Sequence, residues 1–162
     1  MSTDAQQHNP LTVSTPSDTE IRIERTFDAP RELVWEAYTE PEMVAEWLGP
    51  RSHETPAVTM DVRPGGKYQW DFGEYVFFGE FREVVPQERL VTTLDWETNE
   101  RGPSVDHAEF EALGDGRTRI VIMSTFASKE DRDAMISDGM ERGVRDGYEK
   151  LDALLARLKS QA

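Results

Sequence analysis

A helical pattern that runs unbroken to the end of the chain, after about eighty residues that lack one, limits what this sequence can build. From Ser128 onward, Met140, Val144, Leu151, Leu154, Leu155 and Leu158 recur on one helical stripe that also carries Gly147. Ser128 is placed to cap the start. Glu130 and Asp131 stand in the first turn and Arg157 and Lys159 in the last, the charges the helix dipole favours at each end. About 31 residues at 1.5 Å each give a helix roughly 46 Å long. Upstream, turn signals at Pro64-Gly65-Gly66, Gly73, Pro86, Gly102-Pro103 and Gly114-Asp115-Gly116 divide the chain into six strands. These fall at about 55–62, 66–73, 75–85, 89–97, 104–113 and 117–126, and their short connections predict an antiparallel meander. A seventh strand is predicted at 20–27, where Ile21, Ile23, Arg25 and Phe27 alternate with polar residues. Between it and the meander, Pro30 and Pro41 each open a short helix, RELVWEAYTE and PEMVAEWLG. One sheet of seven strands must cover an apolar face, and only the last helix is long enough. The fold expected is α+β: a curved seven-stranded antiparallel sheet around a long C-terminal helix, with two short helices between the first and second strands.

A length of 162 residues suits one domain. Residues 1–19 carry seven Ser or Thr and few apolar groups, so they are read as a disordered polar tail, leaving 20–160 as a single domain. The net charge of −14 makes nucleic acid and anionic membrane poor partners. Cysteine is absent, which excludes disulfides, thiolate nucleophiles and Cys-ligated zinc. No stretch approaches the roughly 20 apolar residues of a membrane span, and the start has no signal-peptide pattern, so a cytoplasmic protein is expected.

Strand 66–73 places Tyr68, Trp70 and Phe72 on one face; 89–97 places Leu90, Thr92, Leu94 and Trp96 together; EYVFFGEF adds Phe77, Phe78 and Phe81. Aromatics of this size, facing one helix, either pack as core or surround a pocket. Gly139, Gly143 and Gly147 lie four apart on or beside the inward helix face, each costing roughly 1 kcal/mol relative to Ala. They signal close approach of a bulky group such as Trp35 or Trp47, or room left for a ligand. Catalytic sets are sparse. His8, His53 and His107 are too separated for a recognisable metal site, and no metal or cofactor is expected. Asp106 and Ala108 share one face of a strand and Glu109 and Glu111 the other, and a solvated face accounts for such acids in so acidic a chain. Glu80, inside FFGEF, is the one catalytic candidate: pointing inward it could orient a polar ligand group or act as a base, and by alternation it faces solvent.

The runs FDAPRELVWEAYTEPEMVAEWLGP, DVRPGGKYQW, GEFREVVPQERLVTTLDW, GDGRTRIVIMSTF and GMERGVRDGYEKLDALLARL together resemble the activator of 90-kDa heat-shock-protein ATPase homologue family, within the START-like or SRPBCC superfamily. The resemblance spans nearly all of Glu20 to Lys159. It implies the helix-grip fold of the birch pollen allergen, with a cavity for lipids, polyketides or other apolar molecules. It also implies that Trp35 and Trp47 close the cavity, Tyr68 and Trp70 form its sheet wall, and Gly143, Gly147 and Tyr148 belong to its helix. The chain departs from relatives at Tyr148, where many carry Trp, and at Ser124-Thr125, near where many carry His.

The expected activity is binding of a small hydrophobic molecule, with Trp35, Trp47, Tyr68, Trp70, Phe78, Trp96, Met140, Gly143 and Tyr148 as the ligand-binding set. Two alternatives stand beside it. One is a protein-interaction module like the eukaryotic chaperone activators; the other is a cyclase-like or hydrolytic enzyme using a pocket carboxylate such as Glu80.

Overall fold

Alternation along the first long strand sets the architecture. Ile21, Ile23, Arg25 and Phe27 of β2 (Glu20–Phe27) are buried and their neighbours half-buried, so one face of the sheet is the core face. The computed structural model describes residues 9–52 and 55–161. Its strands are β1 (Thr12–Ser14), β2, β3 (Ala57–Met60), β4 (Lys67–Asp71), β5 (Val76–Val85), β6 (Arg89–Trp96), β7 (Ser104–Leu113) and β8 (Arg117–Thr125). They form one antiparallel sheet in the order β1-β2-β8-β7-β6-β5-β4-β3. The meander from β3 to β8 thus returns the chain to β2. The helices α1 (Arg31–Thr39) and α2 (Pro41–Trp47) carry it from β2 to the far edge before the meander starts. Pro41 opens α2, and the Trp47 indole N–H donates to the Ala37 carbonyl at 2.9 Å, fixing the angle between the two helices.

The predicted six-strand meander and β2 are present, and an eighth strand adds to them. Residues 12–14 pair with β2, so the expectation of an unstructured stretch through residue 19 gives way from residue 9 onward. The anchor is Asn9, only 5% exposed: its amide donates to Asp28 at 3.0 Å and its carbonyl accepts from Arg25 Nε at 3.0 Å. Local composition missed this because the segment is held by backbone pairing and one buried amide, not by apolar burial. Residues 1–8 and His53 lie outside the described residues.

The long C-terminal helix is present as Met140–Gln161, but its expected single span from Ser128 is corrected into α3 (Lys129–Ser137) and α4 (Met140–Gln161). Ser128 caps α3 as expected, accepting from the Asp131 N–H at 3.1 Å. The break comes at Gly139, whose φ of +86° ends one helix before the next begins. Tyr148, Leu151, Leu154 and Leu155 of α4 are buried against the sheet. Two contacts hold α4 to β2: the Tyr148 ring lies edge-on to Phe27 at 4.9 Å, and Arg25 makes two 2.6 Å bonds to Asp152.

Candidate functional site

The strand register lays out the inner face row by row. One row runs Ile21, Ser124, Asp106, Thr92, Phe81 across β2, β8, β7, β6 and β5. The next runs Ile23, Ile122, Ala108, Leu90, and the one beyond it Arg25, Ile120, Phe110. A carboxylate therefore sits in the middle of the core face, with apolar rows beside it. Two chains of aromatic contacts flank it. Phe81, Tyr68, Trp70, Phe77 and Trp96 follow one another at centroid distances of 5.6, 5.0, 6.3 and 6.1 Å. On the other side Trp35 and Tyr38 meet Phe110 at 5.2 and 5.3 Å, and Tyr38 packs on Trp47 at 4.8 Å.

Asp106 accepts one hydrogen bond, from Ser124 Oγ at 2.6 Å. Loss of water raises its pKa above the ordinary carboxylate value, with the Ser124 bond and then the neighbouring His107 opposing. No ion pair to it exists among the described residues; the nearby buried cation, Arg25, is committed to Asp152 and Asn9. Three phenols share this interior. The Tyr38 and Tyr148 oxygens are 2.5 Å apart, and Tyr68 donates to the Thr93 carbonyl. Burial pushes Tyr148 up to about 12 and raises Tyr38 and Tyr68 well above their ordinary value, with the Asp106 charge adding to the rise at each. All three stay protonated at neutral pH. The Trp70 indole nitrogen is buried with no hydrogen-bond partner among the described residues, which costs about 1–3 kcal/mol.

Trp70, Thr92, Trp96, Asp106 and Ser124 are only half-buried although they sit on the core face, and so is Tyr38 of α1, which packs against Phe110. Helix and sheet packed solid against each other would seal them. A small cavity of about 20 Å³, lined by Trp96, Ser104, Phe126 and Met135 among others, opens at this end between β6, β7 and α3. It is roomy enough for about one water.

The sequence-predicted residues divide accordingly. Trp35, Tyr68, Trp70 and Trp96 stand on or against the inner face, while Trp47 and Tyr148 are buried core between α1, α2 and α4. Met140, at the first turn of α4, is half-buried against the same core. Phe78 is corrected: it pairs with Gln69 on the outer face and is 37% exposed. Glu80 is on that outer face too, opposite Lys67, with Arg82 at 3.8 Å. Strand alternation, with Gly79 and Phe81 pointing inward, turns both outward. The glycines do not open a cavity against the sheet. Gly139 lies between helices, a Cβ on Gly143 would meet only Pro50 at 3.7 Å, and one on Gly147 would come within 2.9 Å of the Trp47 carbonyl oxygen. Gly147 thus permits close approach of the end of α2.

Asp106 and its partner Ser124 were missed as site residues. The signal was available: Ser104, Asp106, Ala108 and Phe110 share one face of β7, and Ala108 and Phe110 mark that face as core. Abundant acid elsewhere made a solvated face the simpler reading. Among the described residues no three His, Asp or Glu side chains group closely enough to hold a metal ion.

The Activator of Hsp90 ATPase homolog 1-like protein family matches residues 28–156. The chain belongs to this family. Solved structures agree with the family's fold. A Rhodobacter sphaeroides protein is 24% identical with a TM-score of 0.82, covering 91% of this chain and 99% of its own. A Mycobacterium smegmatis protein is 26% identical at TM-score 0.79, covering 92% and 99%. An HSP90 activator from Plasmodium falciparum shares the fold at 16% identity and TM-score 0.62, covering 85% and 96%. No curated protein matches the chain. The α+β helix-grip architecture is therefore that of the family, with eight strands here. Among the described residues no helix is long and apolar enough to cross a membrane.

Proposed function

We propose that this family member binds a small, largely apolar molecule carrying a polar group, seated between the inner face of the sheet and α4. The observation that carries this reading is Asp106. A half-buried carboxyl with one hydroxyl partner, set among aromatic rings, is the arrangement of a pocket lined by apolar walls with a few convergent polar groups. The unpaired Trp70 N–H supports it, since a buried donor gains most when a ligand acceptor arrives. Trp35, Tyr68, Trp70 and Trp96 supply the walls in this reading.

The test uses prodan, a neutral naphthalene ketone whose emission shifts blue on leaving water. Titration should give saturable one-to-one uptake with energy transfer from tryptophan. Thr92→Phe, which fills the row beside Asp106, should abolish uptake and leave thermal unfolding nearly unchanged, whereas Phe78→Ser on the outer face should not alter it. No saturable uptake, or uptake indifferent to Thr92→Phe, would refute the reading.

A second reading has its own observation. An open depression of about 500 Å³ on the outer face, lined by Lys67, Gln69, Phe78, Glu80 and Asp95 among others, exposes an aromatic ring beside charges of both signs. That surface suits a protein partner, in keeping with the activator that shares the fold. Loss of prodan uptake in Phe78→Ser, and not in Thr92→Phe, would favour it.

A further inference from the structure

Deepening the proposed function, on which it rests, we propose that the inner face around Asp106 selects amines: a protonated amine on an apolar body, ion-paired with Asp106. The first support is an imbalance of charge. Asp106 lies on the core face with a neutral hydroxyl as its hydrogen-bond partner, and among the described residues no cationic side chain pairs with it. Two cations are buried among the described residues, and both are already committed: Arg132 bonds Asp133 and the Ser17 carbonyl. Arg25 shares two 2.6 Å bonds with Asp152 and gives its remaining direction to the Asn9 carbonyl. By register it stands level with Phe110, four residues along β7 from Asp106, about 13 Å at the rise of a strand. The lone basic neighbour in sequence, His107, points to the opposite, exposed face.

Shape and surroundings narrow the counter-charge to one borne by the ligand. A buried carboxylate is expensive unless it is neutralised or paired, and a charge-assisted hydrogen bond to an ammonium supplies both partner and donor. Phe81 ends the row one strand beyond Thr92, and Phe110 lies on the same face of β7 four residues from Asp106, so aromatic rings offer apolar surface for the body of the ligand. The phenols of Tyr38, Tyr148 and Tyr68 are held neutral and already bonded, so none competes as an anion. The net charge of −14 adds long-range attraction for cations and none for anions. A carboxylate-bearing ligand would meet Asp106 as a like charge.

The experiment compares three probes of one shape, 4-phenylbutylamine, 4-phenylbutanol and 4-phenylbutyrate, binding to the full chain at pH 8 by calorimetry and indole resonances. The amine should bind at least about tenfold tighter than the alcohol, with the acid weakest. Asp106→Asn, nearly isosteric, should bring the amine-to-alcohol ratio close to one while moving alcohol affinity less than about threefold. Ser124→Ala, which keeps the charge, should preserve the preference, and so should 0.5 M NaCl, since screening acts mainly on exposed charges. Equal binding of alcohol and amine, or an amine preference that survives Asp106→Asn, would overturn the inference while leaving the proposed pocket standing. Failure of both probes to saturate would instead remove the pocket, and with it the inference.

Discussion

Asp152→Ala strips Arg25 of its one ionic partner among the described residues. Arg25 is 3% exposed, and its two 2.6 Å bonds to Asp152 are the polar link between β2 and α4. Removing one partner of a buried pair costs about 3–5 kcal/mol, because the remaining charge is left uncompensated in low dielectric. Here Arg25 keeps the Asn9 carbonyl at 3.0 Å and the face of Phe27 at 4.8 Å, and the Asp152 side chain is 29% exposed. The lower end, about 3 kcal/mol, is therefore expected. At roughly 2–4 °C per kcal/mol for a chain of this size, that lowers Tm by about 6–12 °C. Urea unfolding followed by tryptophan fluorescence measures it directly. Glu46→Ala provides the control, since its pair with Arg157 is about half exposed on both sides and should contribute less than about 1 kcal/mol. The double variant Arg25→Met with Asp152→Leu should recover most of the loss, because no unpaired charge remains. An Asp152→Ala protein within about 1 kcal/mol of wild type, or a double variant no more stable than Asp152→Ala, would refute the assignment of this pair as the clasp between sheet and helix.

Three further outcomes follow from the geometry. Gly147→Ala and Gly143→Ala should have opposite signs: the first puts a Cβ 2.9 Å from the Trp47 carbonyl oxygen and should lose about 1–3 kcal/mol to overpacking, while the second meets only Pro50 at 3.7 Å and should gain up to about 1 kcal/mol of helix propensity in urea melts. Asp106→Asn should be more stable than wild type at pH 7. A carboxyl whose folded pKa is raised holds its proton more tightly in the native state, so wild-type stability falls as pH rises from the unfolded value through the folded one. The variant's advantage should therefore shrink as pH falls through the raised folded value toward the unfolded value of about 4 and level off below it, read from stability measured across pH. Gln87 holds a φ of 64° in the turn closed by the Glu88 N–H to Val85 carbonyl bond of 2.9 Å; Gln87→Gly should relieve about 1 kcal/mol of backbone strain, partly offset by chain entropy, visible as a small rise in Tm.

The strands were legible because alternation and turn residues agree: β2 and the six-strand meander follow from Ile21, Ile23 and Phe27 and from turns at Gly65, Gly102 and Gly116. What escaped depended on partners distant in sequence. β1 exists because β2 offers it an edge and Arg25 an N–H donor for the Asn9 carbonyl, neither of which is written in residues 12–14. Gly139 broke the predicted helix because the apolar stripe masked an ordinary helix-ending glycine. The aromatic walls were readable from composition and face, yet Phe78 fell on the wrong side until the register with Gln69 was known. Asp106 was hidden by its own kind, one inward carboxylate among 32 acidic residues. Glu80 drew attention for its aromatic neighbours in sequence, but neighbours in a strand face opposite ways.

The central claim is that the inner face around Asp106 receives a ligand, and the indole N–H resonances of the four tryptophans report on it most directly. Trp47 is bonded to the Ala37 carbonyl at 2.9 Å within the core, whereas the Trp70 nitrogen is buried with no partner among the described residues. On titration with prodan, whose ketone offers an acceptor, the Trp70 resonance should move downfield and saturate at one equivalent while that of Trp47 stays in place. Saturable binding with Trp70 unmoved would contradict the claim and assign the ligand to another surface.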